Sequence, residues 1–118
     1  MLRPYTMSQW HFLTITSMEK IERYISNSDY ETFKENEMIV DAIIRNLEII
    51  GEASKNIPDD IRKRYSDIPW KRMVGLRNIA IHEYSKIDLK MIWKIIKKNL
   101  PETKQEILKI LDTMKETM

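Results

Sequence analysis

Cysteine is absent from this chain. That excludes disulfides, thiolate nucleophiles and cysteine-ligated zinc, and it fits a reducing cytoplasm, the expected location. Glycine and proline are scarce, two and four in 118 residues. Strands joined by tight turns need more of both, so the scarcity points to an all-α chain. No apolar run approaches the roughly 20 residues that span a bilayer, so no membrane segment is expected. The stretch from Met1 to Phe12 lacks an uninterrupted apolar core followed by small residues, so no signal peptide is expected either. Excess charge is missing too. Twenty basic and 18 acidic residues leave a formal +2, so no broad electrostatic footprint for nucleic acid is visible, and any RNA contact has to be local. His11 and His82 stand far apart without a ligand-spaced partner, so no structural metal is expected.

What is present is apolar periodicity. Apolar residues make up 42% of the chain, enough to fold around one core, and no repeat or linker divides residues 1–118 into more than one expected domain. The chain reads as about five helices. The first runs from about Gln9 to Ile25, with Ile15, Met18, Ile21 and Ile25 along one face. Ser28 and Glu31 have capping-box spacing and open a short turn through Phe33. The second helix runs from about Glu37 to Asn56. Val40, Ile43, Ile44, Leu47, Ile50 and Gly51 form its stripe, and Asp41, Arg45, Glu48, Glu52 and Lys55 share a polar sector about 80° wide. A helix this apolar belongs at the centre of a bundle. Ile57-Pro58 opens a short helix ending near Tyr65. Asp67-Ile68-Pro69 opens the third main helix, with proline at its first position, running to about Glu83. Ser85 to Asp88 reads as a loop with Asp88 as N-cap. Leu89, Ile92, Trp93 and Ile96 give another stripe, which Pro101 breaks or kinks. Ile107, Ile110, Leu111 and Met114 form the inner face of a last helix.

The segment that carries chemistry is Arg77-Asn78-Ile79-Ala80-Ile81-His82-Glu83-Tyr84. On the third helix wheel, with Trp70 at zero, Met73, Val74, Arg77, Ile81 and Tyr84 fall within about 60° of it. Arg77 therefore lies in line with the apolar stripe, and burying it unpaired would cost several kcal/mol, on the order expected for a lone buried charge. Glu48 and Glu52 of the second helix are the candidate partners. His82, five residues on, is rotated from Arg77 by about 140°, on the side of Gly75. Gly75 costs about 1 kcal/mol against alanine inside a helix, which close approach by a backbone or a ligand would explain. Arg77 and His82 converge only if the helix ends at His82, or if a second copy of the chain supplies one of them. Read alone, the pair is equally a structural arginine with a surface histidine, Tyr84 a half-buried tyrosine at a helix end, Trp70 and Trp93 core residues, and His11 exposed and inert.

Read together, Pro69-Trp70, Gly75, Arg77-Asn78, His82 and Tyr84 resemble the P-W-x-x-x-x-G-x-R-N-x-x-x-H-x-Y signature of the HepT-like HEPN family. Ala42 to Ala53 resembles that family's second-helix block, and Trp93 and Leu100-Pro101 fall where the family has them. The resemblance covers about residues 13–115; Trp10 and His11 lie outside it. It implies an antiparallel, up-and-down helical bundle and a homodimer. It further implies the toxin of a toxin–antitoxin system, a ribonuclease acting on cellular RNA without a cofactor. Arg77 and His82 match the family's catalytic pair. Tyr84 matches the tyrosine that a cognate nucleotidyltransferase antitoxin of the MntA kind modifies with AMP. The chemistry suits the residue types. RNA carries its own nucleophile, His82 would act as base or acid, Arg77 would hold the phosphate, and Asn78 would orient a partner group. The competing expectation is a non-catalytic HEPN module that binds a nucleotide or a partner nucleotidyltransferase, which the near-neutral charge mildly favours.

Overall fold

The computed structural model describes residues 5–84 and 88–116, with side chains over 5–80 and 88–112. Among these there are seven α-helices and one π-helical segment, and no strand. The helices are α1 (Met7–Tyr24), α2 (Tyr30–Glu35), α3 (Glu37–Lys55), α4 (Asp59–Arg64), α5 (Trp70–Tyr84), α6 (Leu89–Lys94) and α7 (Leu100–Glu116), with the π segment Ile95–Asn99 joining the last two. The expected all-α bundle is what forms. Helix α4 is the short helix expected after Ile57-Pro58; α2 forms a short helix where a turn was expected, and the π segment is the added element. No helix among the described residues is long and apolar enough to cross a membrane.

Helix α3 is central, packed against α1 on one side and α5 on the other. Its stripe explains this, since Val40, Ile43, Ile44, Leu47, Ile50 and Gly51 are all buried. Helix α1 turns Met18, Ile21 and Ile25 inward and meets α7 on its far side. There Lys104, only 14% exposed, reaches Glu22 at 3.2 Å and Glu19 at 3.9 Å. Trp10 is fully buried. Its Nε1 donates to Ser54 Oγ at 2.9 Å, and its ring lies 4.8 Å from that of Trp70. The unmatched N-terminal stretch thus closes the core over α3 and α5. Trp93 is half-buried and packs with Tyr30 and Phe33 under α2.

Several boundaries differ from the sequence reading. The capping box sits at Thr6 and Gln9, where helix α1 starts. At α2, Asp29 rather than Ser28 is the cap, accepting from the Thr32 amide at 2.8 Å. It stands one residue nearer the first free N–H groups, and its carboxylate reaches the third of them. Helix α5 begins at Trp70, so Pro69 precedes the first position and its carbonyl accepts from Met73 N. Asp88 caps α6 as expected, accepting from Met91 N at 3.1 Å; the loop at 85–87 lies outside the described residues.

Pro101 does not break the path. The chain passes from α6 into the π segment, where Leu100 N donates to Ile95 O, and on into α7. Two causes converge. Ile92, Ile96 and Leu100, all buried, recur every fourth residue and would drift about 40° per turn around a plain α-helix. A π turn takes one residue more and keeps them in line. It also widens the turn before Pro101, where the ring would meet the carbonyl four residues back.

Candidate active site

The candidate site lies where α3 crosses α5. Gly51 is in the buried stripe of α3, and a Cβ built on it would fall 2.5 Å from Arg77 N and 2.8 Å from Arg77 Cα. The missing side chain lets the two backbones touch at that point. One residue on, Glu52 projects beside the crossing and its Oε1 accepts from Arg77 Nε. Gly51-Glu52 therefore works as a unit in which glycine sets the distance and glutamate takes the charge.

Arg77 is not sunk in the core. Its side chain is 32% exposed and that of Glu52 45%. The stripe of α5 is rotated from the expected one: Trp70, Met73, Leu76 and Ala80 are buried, Val74 and Arg77 are at the edge, and the side chains of Ile81 and Tyr84 lie outside the described residues. The pair is thus half-solvated and worth roughly 0.2–1 kcal/mol to the fold. Glu48, the other candidate partner, pairs with Arg45 at 3.6 Å.

Helix α5 is continuous from Trp70 to Tyr84, so it does not end at His82. Position 82 is five residues past Arg77 on one helix and about 140° around it. One chain's backbone does not bring the two together; the side chains of His82 and Tyr84 lie outside the described residues.

Gly75 plays no part in helix packing. A Cβ there would find no atom within 4 Å. It lines an open groove of about 640 Å³ between α4 and α5, with Arg62, Lys63, Ser66, Lys71 and Asn78, and also borders the cleft between α5 and the π segment. Arg62 is fixed in that wall, donating to the carbonyls of Ile57, Ser54 and Lys55 at 3.1, 3.0 and 2.8 Å. It thereby caps the C-terminal end of α3. The groove and Arg62 were not legible in the sequence, because the angle between α4 and α5 across residues 65–69 leaves no periodic signal. The sequence reading also assigned to Gly75 the close approach that Gly51 makes. The available signal was that Gly51 lies on a buried stripe and Gly75 does not.

A family model described as "Ribonuclease HepT-like" matches residues 14–110. A Methanocaldococcus jannaschii protein with a provisional RNase name is 46% identical over 93 residues, covering 79% of this chain and 85% of its own. A second protein of that organism, whose name joins gamma-glutamylcyclotransferase to a provisional RNase, is 41% identical over 85% of this chain. This chain spans only 45% of that protein's length. The mRNA nuclease HepT of Shewanella oneidensis is 28% identical, covering 67% of this chain and 77% of its own. No solved structure matches. With the family model covering most of the bundle, including α3 and α5, the chain belongs to the HepT-like ribonuclease family.

Proposed function

We propose that the chain is a metal-independent endoribonuclease, the toxin of a toxin–antitoxin system, and that Arg77 and His82 carry the reaction. The observation that carries this reading is the placement of Arg77. The glycine at 51 and the carboxylate at 52 hold a half-exposed guanidinium at the α3–α5 crossing, five residues before the histidine on the same helix.

The substrate's 2′-hydroxyl attacks the adjacent phosphorus as the P–O5′ bond breaks. One imidazole takes the 2′-proton, and an imidazolium supplies a proton to the departing 5′-oxygen. The products are a 2′,3′-cyclic phosphate and a 5′-hydroxyl. The guanidinium donates two parallel N–H groups to the phosphate oxygens as charge grows there. Because positions 77 and 82 diverge on one helix, the working site is composite: Arg77 of one chain faces the partner subunit's His82 in a homodimer. Glu52 orients Arg77 and releases it to the phosphate, and Asn78 lies beside it. Glu48 is withdrawn from this role by its pairing with Arg45.

The off-switch is Tyr84. A cognate nucleotidyltransferase transfers AMP from ATP to the phenol oxygen, releasing pyrophosphate. The added anion lies two residues from His82, repels RNA and competes for Arg77. One observation favours a second reading, a non-catalytic module that binds a nucleotide or a nucleotidyltransferase: Arg77 is already neutralised by Glu52.

An RNA cleavage assay separates the two. Arg77→Ala and His82→Ala should each lower cleavage by about 10²–10⁴-fold with the fold intact, the range for losing a general acid–base or a charge-stabilising group. AMP-modified protein should be as inactive. Full activity in both variants, or none in the wild type, would overturn the catalytic assignment.

A further inference from the structure

The groove beside α4 has no part in the chemistry just described, yet it carries more cations than either of two other cavities among the described residues. Arg62, Lys63 and Lys71 line it, together with the polar Ser66 and Asn78, and no carboxylate does. Lys63 and Lys71 are exposed and have no ion-pair partner among the described residues. Arg45, Arg72, Arg77 and Lys104 have carboxylates beside them; Lys90, Lys94, Lys97 and Lys98, on α6 and the π segment, have no ion-pair partner among the described residues but line none of these cavities. In a chain with a formal net charge of only +2, the groove therefore brings three cations to one concave surface with no carboxylate in its lining.

A second, independent feature is Gly75. It stands in the interior of a helix, where glycine is unfavourable, and no neighbour requires it. It leaves a bare stretch of backbone on the groove floor. The groove also points toward the candidate site. Asn78 adjoins Arg77, and position 82 is seven residues beyond Gly75, on the same side of α5 and about 10 Å further along its axis.

We propose that this groove is a backbone subsite that carries the RNA strand flanking the scissile phosphodiester. The inference rests on the ribonuclease reading above and adds where the strand runs. Recognition is of phosphates rather than bases. The one aromatic residue lining the groove, Trp70, is 8% exposed and packed at a tilt against Trp10, so no ring is free for a base. Arg62, pinned by three carbonyls, supplies fixed charge, and the two lysines supply adjustable contacts. The groove is therefore neutral to sequence.

The test measures binding of fluorescein-labelled 20-mers of uridine and of adenosine to full-length His82→Ala protein, which does not cut, across a salt titration. Adding Lys63→Gln and Lys71→Gln should weaken both oligomers by a similar factor, about tenfold at low salt. The slope of log affinity against log salt should shrink by about 1.4, or 0.7 per lost single-strand contact. Gly75→Gln, which places a side chain on the open floor, should weaken binding while leaving the melting temperature unchanged or higher. Lys90→Gln with Lys94→Gln, on α6, is the control and should change neither quantity. An unchanged slope in the groove variant, an equal loss in the control, or a loss confined to one homopolymer overturns the subsite. If wild-type protein cuts RNA, His82→Ala does not, and the groove variant cuts like wild type, the subsite alone fails. If wild-type protein does not cut at all, the ribonuclease reading fails, and the salt slopes still decide whether the groove holds RNA.

Discussion

Two glycines in two helices show how differently one residue type is used. Gly51 is needed for distance: a methyl group there would meet the backbone of Arg77, which cannot rotate away as a side-chain tip can. Gly75 faces empty space. Gly51→Ala should therefore lower stability by about 1–3 kcal/mol through overpacking, whereas Gly75→Ala should raise it by up to about 1 kcal/mol through helix propensity. Urea melts followed by helical circular dichroism report both, and shifts of the same sign would contradict the assignment. The contrast also bears on Arg77. If Gly51→Ala pushes the helices apart, the Glu52 pair is disturbed with it, so that variant combines a stability effect with a site effect.

At the scale of the element, the helix starts and stops are set by side chains that satisfy free backbone groups. Asp29 at the start of α2 has its carboxyl held below the usual aspartate value, chiefly by the hydrogen bond from the Thr32 backbone amide. A depressed carboxyl contributes its stabilisation above the unfolded value and loses it as pH falls through the folded one. The cap should therefore persist at pH values where a free aspartate is already protonating. An NMR titration of the Thr32 amide should show a midpoint below the ordinary aspartate value, and the transition should vanish in Asp29→Asn. A midpoint at or above the ordinary value would mean the cap is not formed in solution. Arg62 is the counterpart at a helix end, where three carbonyls at the close of α3 share one guanidinium.

For the molecule as a whole, the order α1 beside α3 beside α5 follows from stripes that a 3.6-residue period makes legible. The buried stripe of α3 was readable because six positions repeat the period without interruption. The buried face of α5 is offset from the expected stripe, because its apolar residues are few and spread, and the buried Leu76 and Ala80 lie off the stripe centred on Trp70. The Arg77–Glu52 partnership was accessible as a choice between two acids, but the Gly51 crossing and the groove by α4 were not. The first depends on how closely distant segments approach and the second on how two successive helices are angled, and no local pattern encodes either. The π segment escaped for a related reason: proline signals trouble for a helix without saying how the chain resolves it. That resolution ties two sequence features together. Deleting Lys98, exposed within the π segment, would restore a plain α turn but place Pro101 in an α-helix interior, at a cost of about 3 kcal/mol. Pro101→Ala alone would leave the extra residue in place and change little. The two changes made together should leave α7 in phase and recover most of the loss, so a double-mutant cycle on thermal stability should show strong positive coupling. Simple additivity would remove the account. A lineage carrying this bundle would then find one order of change open and the other closed: the proline has to go before the chain can shorten by a residue.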